Sequence, residues 1–118
     1  NWLRSDPLRL KSGIWAAAFL RRAMVEGLYG AVVKRGAEEA GAIYVIVDHL
    51  DGTCHVFGPA PGPAYDEEGE RRWTVELKPP ASPAEAKLLL DRKQRFDPDI
   101  WILEVDDRKG TAGLFAAS

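Results

Sequence analysis

Residues 82–105 have the sequence SPAEAKLLLDRKQRFDPDIWILEV, and this stretch decides the fold because it encodes a helix followed directly by a buried strand. Ser82 and Glu85 have the spacing of a capping box, and Pro83 lies at the first helical position. These signals predict a helix over residues 83–95.

The second half of this stretch predicts the end of the helix and the strand after it. Asp97-Pro98 stops the helix, because proline disfavours helical backbone at the residue before it. Residues 100–105 are apolar on both faces until Glu104, a pattern that is typical of a strand in the interior of a sheet.

Upstream of this stretch, the sequence predicts one more helix and four more strands. Ser12 is the expected N-cap of the first helix, because apolar residues recur after it at three- and four-residue intervals. β-Branched and alternating runs predict strands at residues 31–35, 42–50, 53–57 and 72–77. The expected fold class is α+β, with two helices packed on one face of a mixed, mainly antiparallel sheet of about five strands. The expected order is helix, four strands, helix, strand.

Length and composition are those of one small globular domain. The chain has 118 residues, of which 46% are hydrophobic and 29% are charged, and this excludes wholesale disorder and a multidomain enzyme. We expect a poorly ordered segment at residues 1–11, a single α+β domain at residues 12–109 and a C-terminal tail at residues 110–118.

The expected location is the cytoplasm, without attachment to a membrane. Cys54 is the only cysteine, so no disulfide can form within the chain, as is normal in a reducing compartment. The longest uninterrupted apolar run, Ile14–Leu20, has seven residues, whereas a membrane-spanning helix needs about 20. The net formal charge of −2 gives no global attraction to nucleic acid or anionic lipid.

The Asp51-Gly52 pair predicts a hairpin turn between the second and third strands, and its length decides where two histidines lie. A two-residue turn, which we expect, places His49 and His55 on opposite faces of the sheet. A three-residue turn would place them on the same face, where Cys54 or Asp48 could complete a metal site. We therefore expect no structural metal and no cofactor.

Carboxylates supply the candidates for catalysis. Asp97, Asp99 and Glu104 lie around the last predicted strand, and paired carboxylates in a cleft can act as acid and base. The structural alternative is that Asp97 and Asp99 bracket the turn at Pro98. Cys54 is a candidate nucleophile with a nearby histidine as its base, but a lone cysteine in a strand more often packs as a small hydrophobe.

Charge is unevenly distributed along the chain. Residues 1–36 contain seven Lys/Arg and two Asp/Glu, whereas residues 37–118 contain nine and sixteen, so their net charges are +5 and −7. A basic first helix could contact RNA, but we expect it to meet acid within the protein or across a protein interface instead. The candidate partner-binding residues are Arg21, Arg22, Asp66 and Glu67.

Several short motifs along the chain are distinctive. They are Arg35-Gly36, Ala40-Gly41-Ala42, Leu50-Asp51-Gly52-Thr53, Gly58-Pro59-Ala60-Pro61, Asp66-Glu67-Glu68-Gly69, Arg95-Phe96-Asp97-Pro98-Asp99-Ile100-Trp101 and Glu104-Val105-Asp106-Asp107-Arg108. Together they resemble a small alphaproteobacterial family, domain of unknown function 1491. The resemblance covers residues 9–109 and implies a bacterial cytoplasmic protein. It implies no established activity, cofactor or catalytic residue.

The sequence leads to one main functional hypothesis and two alternatives. No motif supplies a nucleophile, a base and an orienting group together, so we expect a non-enzymatic protein-interaction domain or homodimeric accessory protein. The first alternative is a small hydrolase that uses paired carboxylates near the last strand. The second is an RNA-associated protein that uses the basic first helix. A small-molecule ligand and the oligomeric state stay open.

Overall fold

The computed structural model describes residues 11–114 and contains two helices and five strands in the predicted order. The elements are α1 (Ser12–Val25), β1 (Gly30–Lys34), β2 (Ile43–Asp48), β3 (Cys54–Pro59), β4 (Trp73–Leu77), α2 (Pro83–Phe96) and β5 (Trp101–Asp106). They form one sheet with the strand order β1-β5-β2-β3-β4, so β5 is an interior strand as predicted. β5 is parallel to β2, and every other pair is antiparallel. The predicted α+β class and the mixed, mainly antiparallel sheet are confirmed.

The two helices pack on opposite faces of the sheet, so the prediction that both lie on one face is wrong. Phe19 of α1 belongs to the same buried layer as Val45, whereas Leu90 of α2 belongs to the layer that contains Ile46. The physical reason lies in residues 43–47, which are five consecutive buried residues whose side chains alternate between the faces. A strand that is apolar on both faces needs cover on both.

Ser12 is not the N-cap of α1, contrary to the prediction. The N-cap is Lys11, and no side chain caps this end of the helix. The buried Ser12 hydroxyl instead donates a hydrogen bond of 2.6 Å to the carbonyl oxygen of Gly41. A long-range acceptor that the local sequence does not reveal therefore takes the hydroxyl away from its own helix.

The capping box at the start of α2 is present as predicted. The Ser82 hydroxyl accepts the Glu85 backbone N–H at 3.2 Å, and the Glu85 carboxylate accepts the Ser82 backbone N–H at 2.9 Å. We expect Ser82→Ala to lower the free energy of unfolding by about 1 kcal/mol, because one helical N–H loses its acceptor. Thermal denaturation of Ser82→Ala beside Ser82→Asp, which keeps an acceptor, tests this. Equal melting temperatures for both variants would contradict the role of the cap.

The core continues beyond the predicted domain boundary at residue 109. Ala112 and Leu114 are 5% and 4% exposed and pack in the layer beneath α1. The predicted disordered start falls almost entirely on residues 1–10, which lie outside the described residues, as do residues 115–118. Among residues 11–114, neither helix is long and apolar enough to cross a membrane.

Candidate functional site

Two of the candidate catalytic residues, Asp97 and Asp99, are exposed in the turn between α2 and β5. The Asp97 carboxylate accepts the backbone N–H of Asp99 at 3.0 Å, so it closes the turn. The Asp99 carbonyl accepts the Ala37 N–H at 2.9 Å, and the indole N–H of Trp101 donates to the Ala37 carbonyl at 2.7 Å. These bonds support the interpretation that Asp97 and Asp99 form the turn at Pro98 and do not act as catalytic carboxylates.

Glu104, the third candidate, lies toward the other end of β5. Glu104 lies five positions after Asp99, a distance of about 16 Å along a strand. Its carboxylate instead forms a cluster with those of Asp48 and Asp106, in which the ligand oxygens all lie within 4.8 Å of one another. All three residues are half-buried. The structure therefore separates Glu104 from the other two candidates.

Parallel pairing of β2 and β5 creates this carboxylate cluster. Asp48 and Asp106 are direct partners at the ends of the two strands. Burial, followed by the charges of Asp48 and Asp106, raises the pKa of Glu104. Sequence reasoning missed Asp48 as a partner because only the register between distant strands brings it to Glu104. The available signal was an aspartate at the end of each of two apolar runs.

We expect Glu104→Gln to stabilise the protein at neutral pH by about 0.2–1 kcal/mol, because it removes a partly buried charge and the repulsion of that charge from Asp48 and Asp106. A raised pKa means that the folded state binds this proton more tightly than the unfolded chain does. The destabilising effect of the ionised carboxylate is therefore present at neutral pH and disappears as the pH falls below the unfolded pKa. Melting temperatures of Glu104→Gln from acid to neutral pH test this, with Glu67→Gln as an exposed control. If the melting temperature of Glu104→Gln exceeded that of the wild type by the same amount in acid, the stabilisation would not be electrostatic in origin.

The turn between β2 and β3 has three residues, Leu50–Gly52, so the predicted two-residue turn is wrong. His49 donates its backbone N–H to the Thr53 carbonyl, which closes the loop one residue wider than expected. The first and last residues of the turn have left-handed backbone, with φ of 61° and 89°. The Asp48 carboxylate accepts the Leu50 N–H at 2.8 Å and supports this shape. His49 and His55 consequently lie on the same face.

The two imidazoles are joined by a hydrogen bond, because Nε2 of His49 lies 2.8 Å from Nδ1 of His55. Nδ1 of His49 lies 2.7 Å from the Asp107 carbonyl oxygen, which only accepts, so Nδ1 of His49 carries the proton. In its neutral form, His49 then accepts at Nε2 the bond that His55 donates. Burial, followed by the charges of His49 and Lys78, lowers the pKa of His55 and favours its neutral form.

We still predict that this pair holds no structural metal, although the turn geometry first given as the reason is wrong. The facing nitrogens are bonded to each other, so a metal would have to break that bond before it could bind both rings. The melting temperature should not change when a chelator is added. Stoichiometric zinc in the purified protein would contradict the prediction.

Cys54 lies on the α2 face of the sheet and is fully buried. His55 stacks on Phe57, which belongs to the α1 face, so the thiol and the histidines are on opposite sides. Burial, with smaller effects from nearby carboxylates, raises the pKa of Cys54 to about 11. The thiol is therefore protonated at neutral pH and packs as a small hydrophobe.

The candidate partner-binding residues lie on α1 and on the loop between β3 and β4. Arg22 and Asp66 line the same cavity of about 580 Å³, whereas Arg21 and Glu67 are exposed and do not line it. Within residues 11–114, no ion pair joins Arg21 or Arg22 to this loop. Their role in binding a partner stays a prediction.

An apolar surface that sequence reasoning missed lies along β1 and the end of α1. Nine large apolar side chains are exposed among the described residues, and five of them fall between residues 24 and 33. We name this the β1-edge surface; its members are Met24, Val25, Tyr29, Val32 and Val33. The apolar run Ala31-Val32-Val33 was visible in the sequence, but the position of this strand at the edge of the sheet was not.

The fold and these sites define a small mixed-sheet α+β domain in which residues 11–114 assemble no complete catalytic constellation. The model of a family described as protein of unknown function DUF1491 matches residues 10–114, and the chain belongs to this family. The resemblance read from the motifs is thereby confirmed, with a match that extends five residues further toward the C-terminus.

Solved structures agree with this assignment. The chain is 38% identical to a protein of A. tumefaciens solved in solution, covering 92% of this chain and 93% of that one with a TM-score of 0.78. A crystal structure of a DUF1491 family protein from Caulobacter crescentus is 33% identical, with coverage of 92% and 95% and a TM-score of 0.75. A solution structure of a DUF1491 protein from the same organism is 34% identical, covers 88% and 91%, and has a TM-score of 0.70. No curated protein matches the chain.

Proposed function

We propose that this protein is a non-enzymatic interaction domain that pairs with a second copy of itself through the β1-edge surface. The observation that carries the proposal is the concentration of exposed apolar side chains in one ten-residue segment. Val25 and Tyr29 are 82% and 72% exposed there. Contiguous exposed apolar surface is uncommon on monomers and marks interaction sites.

The backbone supports the same surface. Within residues 11–114, β1 pairs with β5 on one side and with no strand on the other, so the sheet does not use the outward N–H and C=O groups of β1. The ladder is irregular between Val32 and Lys34, which turns Val33 outward with 56% of its side chain exposed. The opposite edge strand, β4, contains none of the exposed large apolar side chains.

A second copy fits this surface because an antiparallel arrangement of two β1 edges is self-complementary. The exposed Arg35 lies at one end of the strand, and the exposed Glu26 lies four residues before the other end. The Lys34 ammonium beside Arg35 is already bonded to the carbonyl oxygens of Pro98 and Ile100. A two-fold arrangement brings the basic end of one copy toward the acidic end of the other, while the apolar residues between them meet. The surface thus offers both an apolar centre and charged ends of opposite sign.

Analytical ultracentrifugation over a wide concentration range tests the proposal. We expect a reversible dimer, and we expect Val33→Lys to weaken association about tenfold or more because it buries a charge at the centre of the interface. Leu88→Lys, on the exposed face of α2, is the matched control and should leave association unchanged. A wild-type chain that stays monomeric at every concentration would refute the homodimer, as would equal effects of the two variants.

We place this function in the bacterial cytoplasm. The support is Cys54, which is reduced and buried, together with the bacterial origin of the similar structures. Fractionation of the native cell, followed by immunoblotting, tests this location, and recovery in the periplasmic fraction would contradict it.

A second candidate function is hydrolysis that uses carboxylates at the end of β5, and one observation favours it. Asp48, Glu104 and Asp106 bring three ligand oxygens within 4.8 Å, a spacing suited to a hard divalent cation. Melting temperatures with Mg²⁺, Mn²⁺ and Ca²⁺ test this candidate. A rise that Asp106→Asn abolishes would support it, and an unchanged melting temperature with all three ions would remove it.

A further inference from the structure

A cleft with arginine and tryptophan in its walls lies on the α1 side of the sheet, between α1 and the loop before β4. Its larger part has a volume of about 580 Å³, which falls within the range of about 300–1,000 Å³ typical of small-molecule sites. A neighbouring part of about 420 Å³ shares Arg71, Arg72 and Trp73 with it. We name the two parts together the arginine–tryptophan cleft.

One wall of this cleft is aromatic and rigid. The ring of Trp15 stacks on Phe19, with ring centres 5.1 Å apart and planes within 9° of each other. The same ring meets Trp73 at a centre-to-centre distance of 5.3 Å. Trp73 is buried in the core, so these rings are held in place before any ligand arrives. The wall therefore suits a flat apolar group.

The other wall is cationic, because Arg22, Arg71 and Arg72 all line the larger part of the cleft. The Arg72 guanidinium donates from Nη1 to the carbonyl oxygens of Pro61 and Pro63, each at 2.8 Å, and so fastens the proline-rich loop over the site. The Arg71 guanidinium lies 5.6 Å from the ring centre of Trp15. Cationic groups thus reach the aromatic wall itself.

The acidic residues at this cleft do not neutralise all of these arginines. Asp66 and Glu70 line its larger part, but the Asp66 carboxylate accepts the backbone N–H groups of Glu68 and Glu70, each at 2.9 Å. Glu39 lines the smaller part and forms an ion pair with Lys11 at 3.7 Å. Among the described residues, no carboxylate lies within ion-pair distance of Arg22 or Arg72. Within residues 11–114, the Arg22 guanidinium is therefore available to an external anion, and Arg72 can add only the N–H groups that its bonds to Pro61 and Pro63 do not use.

From this arrangement we infer that the arginine–tryptophan cleft binds a small molecule that combines a planar apolar ring system with an anionic group. The ring packs on the accessible part of Trp15, which the buried Trp73 supports, and the forked donors of arginine bind a carboxylate or a phosphate. The inference goes beyond the proposed pairing, because the cleft is bordered by β4 and β1 is the opposite edge of the sheet. Ligand binding and pairing can therefore succeed or fail independently.

Titration of the full chain by NMR tests the inference, with the tryptophan indole N–H signals as the readout. The probes are 1-naphthoate, 1-naphthyl phosphate and the neutral 1-naphthamide. We expect the two anions to shift the signals of Trp15 and Trp73 while that of Trp101, whose N–H is bonded to Ala37, stays in place. Stronger binding of one anion identifies the preferred charged group. Equal binding of the amide and both anions would overturn the inference, as would the absence of any shift.

Two substitutions separate binding from folding. Arg22→Gln, at an exposed position of α1, should weaken binding of the anions about fivefold or more and leave the melting temperature unchanged. Arg92→Gln, at an exposed position of α2 on the other side of the sheet, is the matched control and should bind like the wild type. Equal affinities for these two variants would show that Arg22 does not contact the anion and would overturn the assignment of the cationic wall.

Discussion

Trp101→Ala is expected to lower the free energy of unfolding by about 3–5 kcal/mol, as is typical when a large buried aromatic side chain is removed. The side chain is 1% exposed and lies at the start of an interior strand, in the layer beneath α1. Small domains are stable by about 5–15 kcal/mol, so the variant should lose much of its stability. Urea denaturation followed by circular dichroism measures the change.

A second variant separates the two contributions of this tryptophan. Trp101→Phe keeps most of the apolar contact but removes the N–H that donates to the Ala37 carbonyl at 2.7 Å. We expect this variant to lose about 0.5–1.5 kcal/mol, because the Ala37 carbonyl then keeps only the longer bond from the Gly41 N–H at 3.3 Å. If both variants unfold at the urea concentration of the wild type, Trp101 does not stabilise the contact between the start of β5 and the segment that contains Ala37.

Local signals in the sequence were sufficient for α2 and for the strand after it. The capping box at Ser82 and Glu85 and the stop at Asp97-Pro98 involve residues within four positions of one another, and the structure retains all of them. The apolar run after Pro98 also predicted an interior strand correctly, because burial on both faces leaves a direct mark on composition.

The predictions that were wrong concern features that depend on contacts between residues far apart in the chain. Ser12 has the composition of a cap, but the carbonyl of Gly41, which is 29 residues away, takes its hydroxyl. The faces covered by the helices depend on strand order, and no local pattern encodes that order. The turn before Thr53 is one residue longer than the Asp-Gly signal indicates, and this single step brings His49 and His55 together.

The carboxylate cluster around Glu104 was, like the fold, predictable only in part. Glu104 was singled out as a carboxylate in an otherwise apolar strand, and the structure does place it in a cluster. Its neighbours Asp48 and Asp106 meet only because β2 and β5 pair in parallel, which requires the whole crossover through β3, β4 and α2. The Asp97 carboxylate instead bonds the backbone N–H of Asp99 in the turn before β5, and Asp99 contributes its backbone groups there.

Three of the motifs that carry the family resemblance, Arg35-Gly36, Ala40-Gly41-Ala42 and Arg95–Trp101, meet in space, and this gives them a structural explanation. Residues 35–41 contact residues 98–101 through backbone and side-chain hydrogen bonds, including the Ala37 N–H to the Asp99 carbonyl at 2.9 Å. The Arg35 guanidinium lies over the Trp101 ring at 5.2 Å. Such close approach of two chain segments requires residues without side chains at the contact. It therefore predicts a position at which even a methyl group is not tolerated.

Gly36→Ala is expected to lower the free energy of unfolding by about 3 kcal/mol, near the upper end of the usual range for an overpacked site. A Cβ atom on Gly36 would overlap the Asp99 carbonyl oxygen and the carbonyl group of Ile100, which are backbone atoms and cannot rotate away. Gly30→Ala is the matched control, because its Cβ would meet the flexible end of Leu20 at 2.9 Å. We expect thermal denaturation to show a large loss for Gly36→Ala and a small one for Gly30→Ala. Similar melting temperatures for the two variants would mean that residues 35–41 move aside easily, and the motifs would then need an explanation other than this contact.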